Sequence, residues 1–157
     1  MKKIPIILAV LFFCSTLFLV YAFVFRGRVV KSDDHRIAIQ LSKENKDFAL
    51  KEMRSFLVSV QQINEGIIYK DADAIYKAAK ESGGKAVNHA PKGIMASLPI
   101  EFKKLGFSVH DQFDIIADSI LKYKNFNTTH RQLNTMLKSC IVCHNTFKFV
   151  DESKNSN

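Results

Sequence analysis

Glycine and proline are scarce in this chain, six and three among 157 residues. That is too few turn formers for a fold of many short strands, so a turn-dense all-β architecture is excluded and a helical one favoured. No Ser-His-Asp arrangement, P-loop or dinucleotide fingerprint occurs, and the chain reads as a non-enzyme. No internal repeat and no low-complexity tract interrupts it. The three cysteines cannot all pair with one another. What is present describes a folding chain, 47% hydrophobic and 24% charged, long enough for one ordinary domain and a short appendage. The formal net charge of +8 would suit a nucleic-acid or membrane-surface partner.

The first segment explains most of that charge. Ile4 to Phe25 carries no charged side chain and is flanked by Lys2 and Lys3 before it and Arg26, Arg28 and Lys31 after it. About 20 apolar residues span a bilayer core, so this run is long enough to cross. It reads either as a retained signal anchor or as a signal peptide cut after Ala22, where Val20-Tyr21-Ala22 offers the small residues a signal peptidase accepts. The length of the run, continuing through Phe23-Val24-Phe25, favours the anchor. Both readings carry the rest of the chain across a membrane, to the periplasm in a bacterium, tethered to the inner membrane or soluble if cleaved. Residues 1–31 hold five basic and no acidic side chains, leaving 18 basic against 15 acidic, so nucleic acid drops out as a partner. Cys14 lies within the apolar run, without the small residues of a lipobox, and reads as an inert membrane thiol.

Residues 32–47 read as a polar tether and 48–150 as the folded domain, with a polar tail at 151–157. From Phe48 onward Met53, Phe56, Leu57, Val60, Ile63 and Ile67 recur at three- and four-residue steps, the stripe of an amphipathic helix. Asp71 caps a second helix with Ala74, Ile75, Ala78 and Ala79 inward, stopped by Gly83-Gly84. After a loop from Lys85 to about Ser97, Pro99 opens a third helix with Phe102, Leu105, Val109, Phe113, Ile116, Ile120 and Leu121 on one face. Thr128 or Thr129 caps a fourth, with Leu133, Met136, Leu137, Cys140, Cys143 and Phe147 on its stripe. No segment alternates with strand period for long. The expectation is all-α: an antiparallel four-helix bundle behind an N-terminal signal-anchor helix.

The sharp signal is Cys140-Ile141-Val142-Cys143-His144. C-x-x-C-H is the attachment sequence of c-type haem, with two thiols for the vinyl groups and a histidine for the iron. On a helix the three residues stand at i, i+3 and i+4 and share one face. The other readings of the spacing are a thiol-redox pair or disulfide, and a structural zinc site. The first lacks the surrounding strand–helix unit and the second lacks a fourth ligand.

A C-x-x-C-H near the C-terminus, on the last helix of a four-helix bundle, resembles the class II c-type cytochromes: cytochrome c′ and its low-spin c-556-like relatives. Asn145-Thr146-Phe147-Lys148 matches the aromatic-then-basic continuation of that family. The resemblance spans roughly residues 48 to 149 and is firm only over 140 to 148. It implies one covalent haem c held by Cys140 and Cys143, iron ligated by His144, and one-electron transfer to redox protein partners. In low-spin members a methionine of the first helix is the second iron ligand, and Met53 stands about where the family carries it. High-spin members have an apolar residue there, a role open to Phe56 or Leu57, and bind nitric oxide or carbon monoxide. Met95 is a weaker candidate, and Met136 lies on the haem helix itself. His110 could face the haem but, beside Asp111 and Gln112, reads as solvated, as do His35, His89 and His130. Lys148 could hold a propionate or be an ordinary surface lysine, Tyr69 and Tyr76 fall where helix packing is expected, and Asp33 with Asp34 read as a helix cap. Whether two such bundles pair as a homodimer is open.

Overall fold

A computed structural model describes residues 3–152. The chain is mostly helical: α1 (Lys3–Val20), α2 (Lys43–Tyr69), α3 (Ala72–Ser82), a short α4 (Ile94–Ser97), α5 (Ile100–Tyr123) and α6 (Phe126–Thr146). A wider π-helical turn (Tyr21–Arg26) extends α1, and a 3₁₀ segment (Gly84–His89) follows α3. Three short strands complete it: β1 (Val29–Val30), β2 (Ile37–Leu41) and β3 (Phe147–Asp151).

The helices that carry the predicted apolar stripes converge on one core. Ile63 from α2, Ile75 and Ala79 from α3, Phe113, Ile116 and Ile120 from α5 and Met136 from α6 are all fully buried. α2 packs on α3, α3 on α5 and α5 on α6, which returns to α2. Local sequence sets the helix ends. Ser42 caps α2 by accepting from the Asn45 N–H at 3.3 Å, Asp71 caps α3 from Ala74 at 2.9 Å, and Asn125 caps α6 from Thr128 at 3.0 Å. The α3 cap is the expected one. The α6 cap is Asn125 rather than Thr128 or Thr129, and α2 begins five residues before Phe48. Tyr76 packs against the core, whereas Tyr69 is exposed.

The all-α expectation needs correcting, because the sheet is real and the tether is not one. β2 lies within the stretch read as polar tether, and Ala38, Ile39 and Leu41 are buried. It pairs antiparallel with β1 (Val29 opposite Ile39) and parallel with β3 (Ile37 opposite Phe147, Leu41 opposite Asp151). A parallel pair needs a long crossover, and here the whole helical body from α2 to α6 is that crossover. Phe147 therefore does not continue the α6 stripe; it ends the helix and starts β3. Ile39, Leu41 and Phe147 meet Ile94 and Leu98 in a second core, with Phe48, Phe102, Leu105, Cys143 and Phe149 packed around it. Asp33 and Asp34 cap no helix. Asp34 bonds the Arg36 guanidinium at 2.7 Å, and Lys148 on β3 lies 3.3 Å from both carboxylates.

From Lys3 to Arg26 the N-terminal helix is long and apolar enough to cross a membrane, about 36 Å at the usual helical rise, and no residue of it is buried. Cys14 is exposed on it. It joins the domain tightly. Gly27 has φ +63°, and a Cβ there would collide with the backbone of Ser97, Leu98 and Pro99. The Arg28 N–H donates to Ser97 O at 2.8 Å, the Gln40 N–H to Arg28 O at 2.8 Å, and the Lys103 ammonium to Val24 O at 2.8 Å.

The join between α3 and α5 rests on Asp114. Its carboxylate accepts from the Gly84 N–H at 2.8 Å and from Lys80 Nζ at 2.9 Å, and it fills the space where a Cβ on Gly83 would stand. Partial burial alone would raise its pKa. The Gly84 N–H, Lys80 and His110 outweigh that, and the group is held below the usual carboxylate value. A depressed folded-state pKa contributes stability above the unfolded value of 3.8, lost as pH falls through the folded pKa. Asp114→Ala is therefore expected to cost about 1 kcal/mol near neutral pH, since the carboxylate is part-exposed. In urea titrations the gap to wild type should close at the acid end.

Candidate functional site

The two cores leave a gap between them, and the C-x-x-C-H motif borders it. An apolar cavity of about 150 Å³ opens there. That is smaller than the roughly 300–1,000 Å³ usual for small-molecule and cofactor sites. Cys140, Cys143 and His144 border it from α6, Met53 and Phe56 from α2, and His110 from α5. Met53, Cys140, Cys143 and His144, 91 positions apart at the extremes, thus line one cavity. Leu57 does not: it is 69% exposed, pointing away from the site. Met136 is buried in the helical core and Met95 stands at the cavity, as their positions suggested.

Helix geometry brings the α6 residues to one face, as the i, i+3, i+4 spacing requires. Both thiols are half-buried. Burial pushes the Cys140 thiol above its ordinary value, and burial with repulsion from Cys140 pushes Cys143 up to about 11. Near neutral pH both are therefore uncharged thiols. Among the described residues no three His, Cys, Asp or Glu side chains converge as a metal ion would require. All three cysteines are free thiols, so no disulfide spans 140–143. His144 is exposed, and its main-chain carbonyl accepts from Arg36 at 3.4 Å.

His110 departs from its expected solvated state. It is half-buried, its Nδ1 lies 2.8 Å from the Ser82 carbonyl oxygen, and its ring meets Phe56 edge-on with centroids 5.0 Å apart. Because a carbonyl only accepts, Nδ1–H is the donor of this bond. The bond fixes the ring against one wall of the cavity. Periodicity hid this role because His110 falls between Val109 and Phe113 on the inward face while its sequence neighbours are polar. His35, His89 and His130 are exposed, as expected. Lys148 is occupied by Asp33 and Asp34, so its charge is matched within the protein rather than free for a propionate.

The rest of the lining comes from residues read only as core or loop. Phe48, Ile94, Leu98, Phe102, Leu105 and Phe107 make the wall opposite α6 almost wholly apolar. Gly106, on α5, also borders the cavity, and a Cβ there would meet nothing within 4 Å. No family model, curated protein or solved structure matches the chain.

The lining would accept a flat, largely apolar group laid along the α6 face. The two sulfurs need not converge with the histidine on one point, as zinc would demand; they stand along one helix face with His144, as one edge of a porphyrin requires. A thioether is neutral, so attached sulfurs keep the apolar lining intact. Gly106→Leu should occupy the empty space. The unloaded variant should melt at or above the wild-type temperature, since leucine outdoes glycine in a helix by about 0.5–1 kcal/mol. Its binding of an added porphyrin, followed by absorbance titration, should weaken at least tenfold.

Proposed function

We propose that the chain is a membrane-tethered periplasmic c-type cytochrome that carries one electron at a time on a single haem c. The observation that carries this reading is the shared cavity: the C-x-x-C-H triad and Met53 border the same apolar space from opposite helices. In this reading α2, α3, α5 and α6 form the antiparallel four-helix bundle of the class II cytochromes, with the sheet as an addition. Bound in the cavity, the haem iron supplies one-electron redox chemistry.

The protein's own residues do the rest. Cys140 and Cys143 would hold the group through thioether bonds, each S–H adding across a vinyl so that nothing leaves. His144 would supply an imidazole nitrogen to the iron and Met53 a thioether sulfur, a ligand pair that raises the reduction potential. Phe48, Phe56 and Phe102, each part-buried, would shield the centre from water and so disfavour its charged state. A second reading rests on Phe56, which also borders the cavity. With Phe56 rather than Met53 over the iron, the centre would be five-coordinate and would bind nitric oxide or carbon monoxide.

Absorption spectra of the matured protein separate the two. A sharp low-spin α band in the reduced form fits the carrier, and a broad spectrum that shifts with carbon monoxide fits the gas-binding protein. Met53→Ala should convert a low-spin spectrum to high-spin and lower the potential; an unchanged spectrum would remove Met53 from the iron.

Mass spectrometry tests attachment directly. The mature wild-type protein should carry one haem through acid-acetone extraction. Cys140→Ser with Cys143→Ser should lose it entirely, and His144→Ala should lose normal ligation. A wild-type chain that emerges without haem would sink the proposal.

A further inference from the structure

The residual positive charge of the domain has an address. Outside residues 1–31 the chain holds 18 basic and 15 acidic side chains, an excess of three. Residues 84–104 hold Lys85, Lys92, Lys103 and Lys104 against Glu101 alone, so this one segment accounts for the whole excess. It comprises the 3₁₀ turn, α4 and the first turn of α5; the apolar N-terminal helix joins the domain at its C-terminal part, Ser97 to Lys103. Lys103 donates to Val24 O in the last turn of that helix, Arg28 N–H to Ser97 O, and Gly27 lies against the backbone of Ser97 to Pro99.

These contacts set a height. If Lys3–Arg26 crosses the bilayer, its end lies at the headgroups, and the residues bonded to that end lie there too. Residues 97–104 cannot stand off from the surface, because no free tether separates them from the membrane helix. Lys85, Lys92 and Lys104 are exposed, and so, in part, are Met95 (36%) and Phe107 (45%) at the cavity mouth. Basic side chains interspersed with apolar ones are the composition of a surface that lies in an anionic interface, with ammonium groups at phosphates and apolar tips among the upper acyl carbons.

We propose that residues 84–107 form a membrane-resting platform that binds anionic lipid headgroups and holds the cavity at the bilayer surface. The proposal rests on the anchor reading of the N-terminal helix, and it adds a second, electrostatic contact whose strength depends on lipid charge. Lys103 serves a different purpose from the other three lysines. Burial lowers its pKa, and its ammonium is spent on the Val24 carbonyl, so it fixes the join while Lys85, Lys92 and Lys104 face the lipid.

The test uses the full chain reconstituted into vesicles, either of phosphatidylcholine alone or of phosphatidylcholine with phosphatidylglycerol. Lysines are acylated with a water-soluble ester and the rate at each site is read by peptide mass spectrometry. Lys85, Lys92 and Lys104 should react about fivefold more slowly in the anionic vesicles at low salt, and high salt should remove the difference. Lys77, Lys122 and Lys138, exposed on α3, α5 and α6, should react alike in both. Equal rates at Lys85, Lys92 and Lys104 in protein that floats with the vesicles would overturn the platform, leaving that face to an acidic protein partner. A chain that fails to float would overturn the anchor, and the platform with it.

Discussion

The position of α6 governs the region around Cys140. Its N-terminal half is fixed in the helical core by Leu133 and Met136, and its C-terminal end is fixed in the second core by Cys143 and Phe147. A helix held at both ends cannot tilt to close the space between its two holds. The cavity is that space: apolar side chains from α2 and α5 approach it and meet no partner from α6. Close packing is the rule in protein interiors, and an apolar gap left open by so many large side chains is a place for something else to pack.

The same arrangement accounts for the character of the thiols. Cys140 and Cys143 are set in apolar surroundings by the sheet and by the α2 and α5 aromatics, which disfavours the thiolate and keeps both side chains neutral. The ion pairs of Lys148 with Asp33 and Asp34, and of Arg36 with Asp34, lie outside this apolar zone, at the turn before β2. Charge and cavity are kept apart.

Much of the helical layout was legible in the sequence, for local reasons. The apolar stripes of α2, α3, α5 and α6 announce themselves at 3.6-residue period, Asp71 caps where it should, and the i, i+3, i+4 spacing sets Cys140, Cys143 and His144 on one helix face. Met53 lies on the long α2 stripe and borders the same cavity. The sheet was not legible, because its signal is non-local. Ile37-Ala38-Ile39-Gln40-Leu41 is too short to show alternation, and Phe147 arrives four residues after Cys143, where a continuing helix would also put an apolar residue. Only the pairing of segments 110 residues apart makes them strands. His110 was misread for a related reason: its carbonyl partner, Ser82, comes from another helix.

The parallel pairing of β2 with β3 has a temporal consequence. β2 is synthesised early and β3 about 110 residues later, so the growing chain cannot close its sheet until residues 147–151 have been made. Until then the second core lacks Phe147, and the end of α6 that carries Cys143 has nothing to hold it. The thiols are thus most accessible in the interval between the arrival of α6 and the docking of the strand that follows it. Five residues of β-structure act as the latch of a late-closing pocket, and any modification of Cys140 and Cys143 competes with that closure.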